Sequence, residues 1–336
     1  MRRIPSNKTV LFSILVVALL LLPISTQVSN ARTETLTASK VITDINKFSS
    51  TLTQTKSVTL EHSTAVKNYV ARHGLDHVSY SCLADFGVTS AAQPNCILGN
   101  QKSTRNVVLF GDSHAWQWGG AFDAIGKTRN WKVNVFTKSA CPPELVSSFR
   151  WANGGKSAYP ECATWRSSAL AAIAKLKPMW IFFSGFPSGT SPALSDGMTL
   201  LLPQLIRDVN NISSHVVWIR TTPVEALSRG SSLPTCLARF AYRVNFSSDG
   251  LGQCYVTFGN AIGASKQLDV MTNLELPVAM SSAITVIDPM PWLCQTTSNS
   301  GICPPVILDH GVYYDVYHIA NSYALFLFPL IAARIP

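Results

Sequence analysis

The stretch Val107-Val108-Leu109-Phe110-Gly111-Asp112-Ser113-His114-Ala115 decides how the chain is read. An uninterrupted apolar run closed by a turn signal describes a strand buried on both faces. The helical pattern that follows carries Trp116, Trp118 and Phe122. Ser113 is therefore expected at the carboxyl end of a buried strand, beside the free N–H groups of a helix start. Chemically that is a nucleophile with part of an oxyanion site already supplied.

The same alternation continues along the chain. Apolar strands are predicted at Asn106–Phe110, Lys132–Thr137, Met179–Ser184, Val216–Arg220 and Ile284–Asp288. Helices are predicted at His114–Arg129, Cys162–Leu176, Gly197–Asn210, Phe258–Leu276 and Ile319–Arg334. Strand-helix alternation specifies an α/β fold whose parallel sheet is covered by helices on both faces. Ligands of such folds bind at the carboxyl ends of the strands, where Ser113 falls. There is no internal repeat and no low-complexity segment.

Composition narrows the rest. Of 336 residues, 47% are apolar and 13% charged, enough apolar surface to rule out a disordered chain. Arg2, Arg3 and Lys8 precede an uncharged run, Thr9 to Thr26, and small residues Ser29 and Ala31 follow it. Residues 1–31 read as a secretory signal cut after Ala31, with an uncleaved membrane anchor as the alternative. Either reading places the remainder outside the cytoplasm. Residues 32–75, rich in Thr, Ser and Lys, read as a helical arm without chemistry, and residues 76–336 as the main domain. Loss of the signal lowers the net charge from +9 to +6, scattered rather than striped, which argues against a nucleic-acid partner.

All eight cysteines follow the signal, and in an oxidising compartment they would pair. Sequence alone allows about a hundred connectivities. The most economical joins neighbours: Cys82–Cys96, Cys141–Cys162, Cys236–Cys254 and Cys294–Cys303. No Cys-x-x-Cys and no paired-His spacing is present, so no metal site is expected. A cluster of Asp309, His310, Asp315 and His318 is the rival metal reading, and it matches no strong ligand motif.

A serine needs a base. Of seven histidines, His62, His73 and His77 fall in or beside the arm, and His215 opens an apolar strand. His114 is expected to point away along the new helix. His318 lies in Tyr314-Asp315-Val316-Tyr317-His318, where Asp315 precedes it by three residues. In a turn or helix start the two side chains face the same way, so Asp315 can orient the imidazole that activates Ser113. Trp165 reads as core, whereas Trp116 and Trp118 stand close enough to the serine to be candidates for lining the site.

With these residues in view the chain resembles the GDSL-like, or SGNH, hydrolases. It is most similar to the SGNH-type domain fused to or associated with membrane acyltransferases. The resemblance runs from about Cys82 to the end. It rests on Gly111-Asp112-Ser113-His114-Ala115 and Tyr314-Asp315-Val316-Tyr317-His318-Ile319, with Ser139-Ala140-Cys141-Pro142-Pro143, Thr222-Pro223, Cys236-Leu237-Ala238, Leu293-Cys294 and Cys303-Pro304 between them. It implies a three-layer α/β/α sandwich with a parallel, flavodoxin-like sheet, Ser113 as nucleophile, and Asp315 and His318 completing the triad.

Two departures from the family stand out. Broader members place a Gly after the second strand and a Gly-x-Asn after the third as oxyanion donors. Here the second strand leads to Thr137-Lys138-Ser139 and the third to Phe183-Ser184-Gly185-Phe186, with no Asn. The Ser113 N–H with that of Ser139 or Gly185 is the remaining arrangement. A many-helix membrane acyltransferase normally precedes such a domain, and here only one apolar segment does. The expectation is an exported serine O-acyl esterase, acetyl being the implied group, acting on an acylated glycan or envelope polysaccharide without metal or organic cofactor. The alternatives are an O-acyltransferase working with a separate multi-helix membrane acyltransferase, and a non-catalytic carbohydrate-binding module.

Overall fold

Val107 and Leu109 face one side of the central sheet and Val108 and Phe110 the other, all four without solvent exposure. That double burial is why the run carries no polar alternation. The computed structural model describes residues 37–54, 60–72, 75–143, 159–186, 207–213, 215–223, 256–257, 284–296 and 301–336.

The strands that build the sheet are β1 (Leu83–Ala84), β2 (Cys96–Gly99), β3 (Asn106–Gly111), β4 (Lys132–Lys138), β5 (Trp180–Ser184) and β6 (Val216–Ile219). After the short β7 (Val256–Thr257), which belongs to a separate small sheet, β8 (Thr285–Ile287) completes it. The spatial order is β1-β4-β3-β5-β6-β8, all parallel. The antiparallel β2 shares the outer edge of β4 with β1: β2 pairs with Lys132–Val135 and β1 with Thr137–Lys138. The chain leaves β3 toward β4 on one side and returns to β5 on the other. That reversal opens a crevice at the carboxyl end of β3, the usual ligand position in doubly wound sheets.

The helices are α1 (Ala38–Gln54), α2 (Leu60–Arg72), α3 (Ser113–Trp116), α4 (Gly119–Arg129), α5 (Pro160–Leu176), α6 (Met290–Leu293) and α7 (Asn321–Arg334). Phe122 and Ile125 of α4 and Leu327 and Ile331 of α7 cover one face of the sheet, joined by Val41 and Ile45 of α1. Trp165, Ala169 and Ile173 of α5 cover the other. The α/β/α layering is as expected, and the five central strands lie within two residues of their predicted limits. Helices α1 and α2 belong to the same compact unit as the sheet, and Val41 and Ile45 of α1 join its core. Among the described residues, no helix is long and apolar enough to cross a membrane.

The helix predicted as one piece over His114–Arg129 is two. It breaks at Gln117–Trp118, and the Trp116 ring folds over Gly119 at the start of the second piece, where a Cβ would lie 2.6 Å from Cζ3 of that indole. Residues 207–210, at the end of the helix predicted over Gly197–Asn210, are helical. The helix predicted over Phe258–Leu276 and the segment 1–31 lie outside the described residues. Disulfides join Cys82–Cys96, Cys141–Cys162 and Cys294–Cys303; Cys236 and Cys254 also lie outside. The first bond links β2 to the residue just before β1, tying together the two segments that share the edge of β4.

Candidate active site

The site begins with a backbone constraint. Gly111 has φ +148°, and a Cβ there would lie 1.8 Å from the Ser184 carbonyl oxygen on the neighbouring strand, so only glycine fits. Asp112 then caps α3. Its carboxylate accepts from the His114 N–H at 2.7 Å and from the Phe186 N–H at 2.8 Å, tying the serine turn to the segment after β5. Ser113 is the first residue of the helix.

Ser113 and His318 are 205 residues apart in sequence, and His318 Nε2 lies 2.8 Å from Ser113 Oγ. His318 Nδ1 lies 2.8 and 3.0 Å from the two oxygens of Asp315. A carboxylate only accepts, so Nδ1 carries the proton and Nε2 presents its lone pair to the serine hydroxyl. Asp315 Oδ1 also accepts from the N–H groups of Tyr317 and His318, each at 2.7 Å. Burial raises the Asp315 pKa, but the His318 ring and these two N–H groups outweigh it and hold the carboxyl below its ordinary range. The predicted spacing of three residues therefore becomes a tight turn closed on the carboxylate.

Aromatic rings enclose the imidazole. Tyr314 stacks on it at 5.5 Å between centroids, and Tyr317 meets it edge-on at 6.4 Å. His114 does not point away along the helix as expected. Its ring packs between His318, at 4.9 Å, and Phe186, at 4.6 Å. Burial, and then the proximity of His318, hold His114 well below its ordinary pKa, so the ring stays neutral. Trp118 and Trp116 are buried in the core, and the Trp116 indole N–H donates to the Ser79 carbonyl at 3.1 Å. Trp165 is buried against α5's face of the sheet, as read.

The structure separates the two expected oxyanion donors. The Ser139 N–H is engaged by the Ala84 carbonyl at 2.9 Å, because β1 extends the edge of β4 to that point. The expectation for Ser139 is therefore corrected. Lys138 is committed to the same edge: its Nζ donates to the Asp85 and Phe86 carbonyls, and burial lowers its pKa to about 8 against the pull of Glu161 and Asp85. By contrast, neither the Ser113 N–H nor the Gly185 N–H is engaged among the described residues. A Cβ on Gly185 would lie 2.3 Å from Pro143 Cδ, so glycine is required for this close approach. The Pro142 carbonyl is in turn gripped by the buried Arg166, with Nε at 3.1 Å and Nη2 at 2.9 Å.

Asp309 contacts His310 at 3.2 Å, and among the described residues no group of three His, Cys, Asp or Glu is placed to hold a metal ion. Sequence reasoning passed over Gln117, which lies four residues after Ser113. Its Oε1 accepts from the Ile319 N–H at 2.9 Å and its Nε2 donates to Thr222 Oγ1 at 3.2 Å. The available signal was the helical spacing from the serine, together with an amide in an otherwise apolar stretch.

A family model described as "SGNH domain (fused to AT3 domains)" matches residues 81–333. Among solved structures, the periplasmic domain of a lipopolysaccharide acetyltransferase from Salmonella ser. Paratyphi A is similar, with TM-score 0.51 and 17% identity over 83% of this chain and 98% of that one. A carbohydrate esterase family 2 enzyme with a carbohydrate binding domain, from Corynascus thermopiles (Myceliophthora fergusii), gives TM-score 0.37 and 11% identity over 69% of this chain and 65% of that one. No curated protein matches in sequence. At these identities the first similarity is one of fold, and the second supports no further reading.

Proposed function

The chain belongs to the SGNH domain family, of the kind fused to AT3 domains, a type of esterase or acyltransferase, and from that premise we propose that it is an exported serine-dependent O-acyl esterase of cell-envelope carbohydrate. The observation that carries the mechanism is the 2.8 Å contact of His318 Nε2 with Ser113 Oγ, with Asp315 on Nδ1.

Ser113 Oγ attacks the ester carbonyl while its proton passes to His318 Nε2. The tetrahedral oxyanion is held by the N–H groups of Ser113 and Gly185. Collapse breaks the ester C–O bond, and the imidazolium returns its proton to the departing sugar hydroxyl. Water then attacks the acyl-enzyme, giving up a proton to Nε2, and Ser113 takes it back as the carboxylic acid leaves. Asp315 keeps the ring in one tautomer and balances its positive charge throughout. Acetyl is the favoured acyl group, since the Salmonella domain of similar fold comes from an acetyltransferase. Residues 1–31 act as the export signal, followed by the arm 32–75 and the domain 76–336.

The family description favours a second reading. Association with an AT3 membrane protein would supply acyl groups to Ser113, and a sugar hydroxyl would replace water in the second step. Hydrolysis of 4-nitrophenyl acetate by the purified protein, compared with Ser113→Ala, tests the esterase. The expected result is turnover reduced by at least about 10³-fold in the variant. Full activity in Ser113→Ala sinks the mechanism. Inactivity of both proteins points to a transferase without its donor or, where acetylated glycan still binds, to a binding module.

A further inference from the structure

Gln117 ends the serine helix, and its own N–H donates to the Ser113 carbonyl at 2.9 Å. The residue is 3% exposed, and its side chain reaches two other segments. The Ile319 N–H, the first backbone donor after His318, can only donate, so the amide oxygen must face it. The amide NH₂ is thereby directed at the Thr222 hydroxyl, three residues beyond the end of β6. One buried side chain thus joins the nucleophile's helix, the base's loop and the sheet.

Within the base's loop the acid and the base are fixed to one another. Asp315 holds His318, the Tyr314 N–H donates to the His318 carbonyl at 3.1 Å, and the Ala320 N–H donates to the Val312 carbonyl at 2.8 Å. None of these bonds fixes the loop against Ser113. The bond from Ile319 to Gln117 does. We propose that Gln117 is a positioning residue that sets the distance between Ser113 Oγ and His318 Nε2, with Thr222 fixing the direction of its amide. Gln117 touches neither substrate nor the reacting atoms, and the inference rests on the serine mechanism proposed above.

The brace predicts a particular kinetic defect. Without it, the loop keeps its internal geometry and the ester still binds, but the serine and imidazole are aligned for less of the time. Misplacement of a reacting pair by about 1 Å can cost about 10²-fold in rate. The experiment compares the full chain with Gln117→Met, Thr222→Val and the double variant, measuring kcat, KM and the urea midpoint. A parallel assay follows the rate at which a fluorophosphonate labels Ser113. Gln117→Met is expected to lower kcat and the labelling rate about 10- to 100-fold with KM within about two-fold. Thr222→Val is expected to give a smaller loss of the same kind, and the double variant no more loss than Gln117→Met alone.

A role confined to folding lowers the urea midpoint and leaves kcat of the folded protein unchanged, and that result overturns the proposal. Should Gln117→Met fail to fold, Thr222→Val decides alone, and unchanged kcat and labelling overturn it. Failure of the esterase reading looks different. It shows as absent turnover in the unaltered chain, or turnover surviving in Ser113→Ala. Labelling of Ser113 reads the brace in the first of these cases, and the second removes both proposals together.

Discussion

The carboxylate of Asp76 accepts hydrogen bonds from both the N–H and the hydroxyl of Ser322, 246 residues away in sequence, the N–H at 3.1 Å. The Asp76 carbonyl adds a third bond, from the Asn321 N–H at 3.0 Å. Helix α7 begins with Ala320 at its cap and no capping side chain of its own. Asp76 therefore caps it from the far end of the domain, placing a negative charge against the positive helix end. The capped helix is the one that directly follows the His318 loop.

Asp76→Ala is expected to destabilise the protein by about 1 kcal/mol, the usual value of a lost N-cap. Urea unfolding followed by circular dichroism checks this. An unchanged midpoint would mean that water replaces the carboxylate at no cost.

Asp315→Asn tests the orienting acid. One amide oxygen can still accept, but the charge that stabilises the imidazolium is gone and the NH₂ favours the wrong tautomer. Turnover is expected to fall by about 10³–10⁴-fold while ester binding is kept. Loss of less than about ten-fold would show that the three backbone and ring donors around Asp315 need no negative charge.

His114 supplies a pH dependence with a definite sign. Its folded-state pKa is depressed by burial and by His318, whereas in the unfolded chain it titrates at the ordinary imidazole value of about 6.5. Below that pH the unfolded state binds the extra proton, so stability is lost as pH falls through about 6 and is fully present above about 7. His114→Phe keeps a flat ring between His318 and Phe186 and removes the titration. Urea midpoints at pH 5 and pH 7.5 are expected to differ less in the variant than in the unaltered protein. Equal differences would refute the assignment.

Gly185→Ala tests the oxyanion donor proposed beside the Ser113 N–H. The added methyl meets Pro143 Cδ at 2.3 Å, and Pro142 is held back by Arg166. The expected cost is about 1–3 kcal/mol of stability, the range for overpacking. Turnover should drop by about 10²-fold as the N–H is displaced from the oxyanion position. Stability lost with turnover intact would remove Gly185 from the site.

Much of this architecture is legible in the sequence for physical reasons. The runs around Val107–Phe110 and Trp180–Ser184 are buried on both faces, so they contain little besides large apolar residues. Ser113 announces itself because a strand must end where Gly111 bends, and Asp315 and His318 because three residues is the span of one turn. What stays hidden depends on partners distant in the chain. The Ser139 N–H is taken by Ala84 only because two-residue β1 docks on β4, and such a strand has no periodicity to read. The ring of His114 turns toward His318 because Phe186 completes its pocket, and Gln117 matters only once Ile319 has arrived.

The turn that closes on Asp315 has a wider consequence. Acid and base sit on one short loop and are bonded to each other within it, so they travel together. A motion that draws this loop away from the serine helix breaks the Ser113–His318 and Gln117–Ile319 hydrogen bonds and parts His318 from His114, yet leaves the Asp315–His318 hydrogen bond assembled. On the proposed serine mechanism, activity is then governed by the separation of Ser113 from His318, and widening it idles the enzyme without dismantling the acid–base pair.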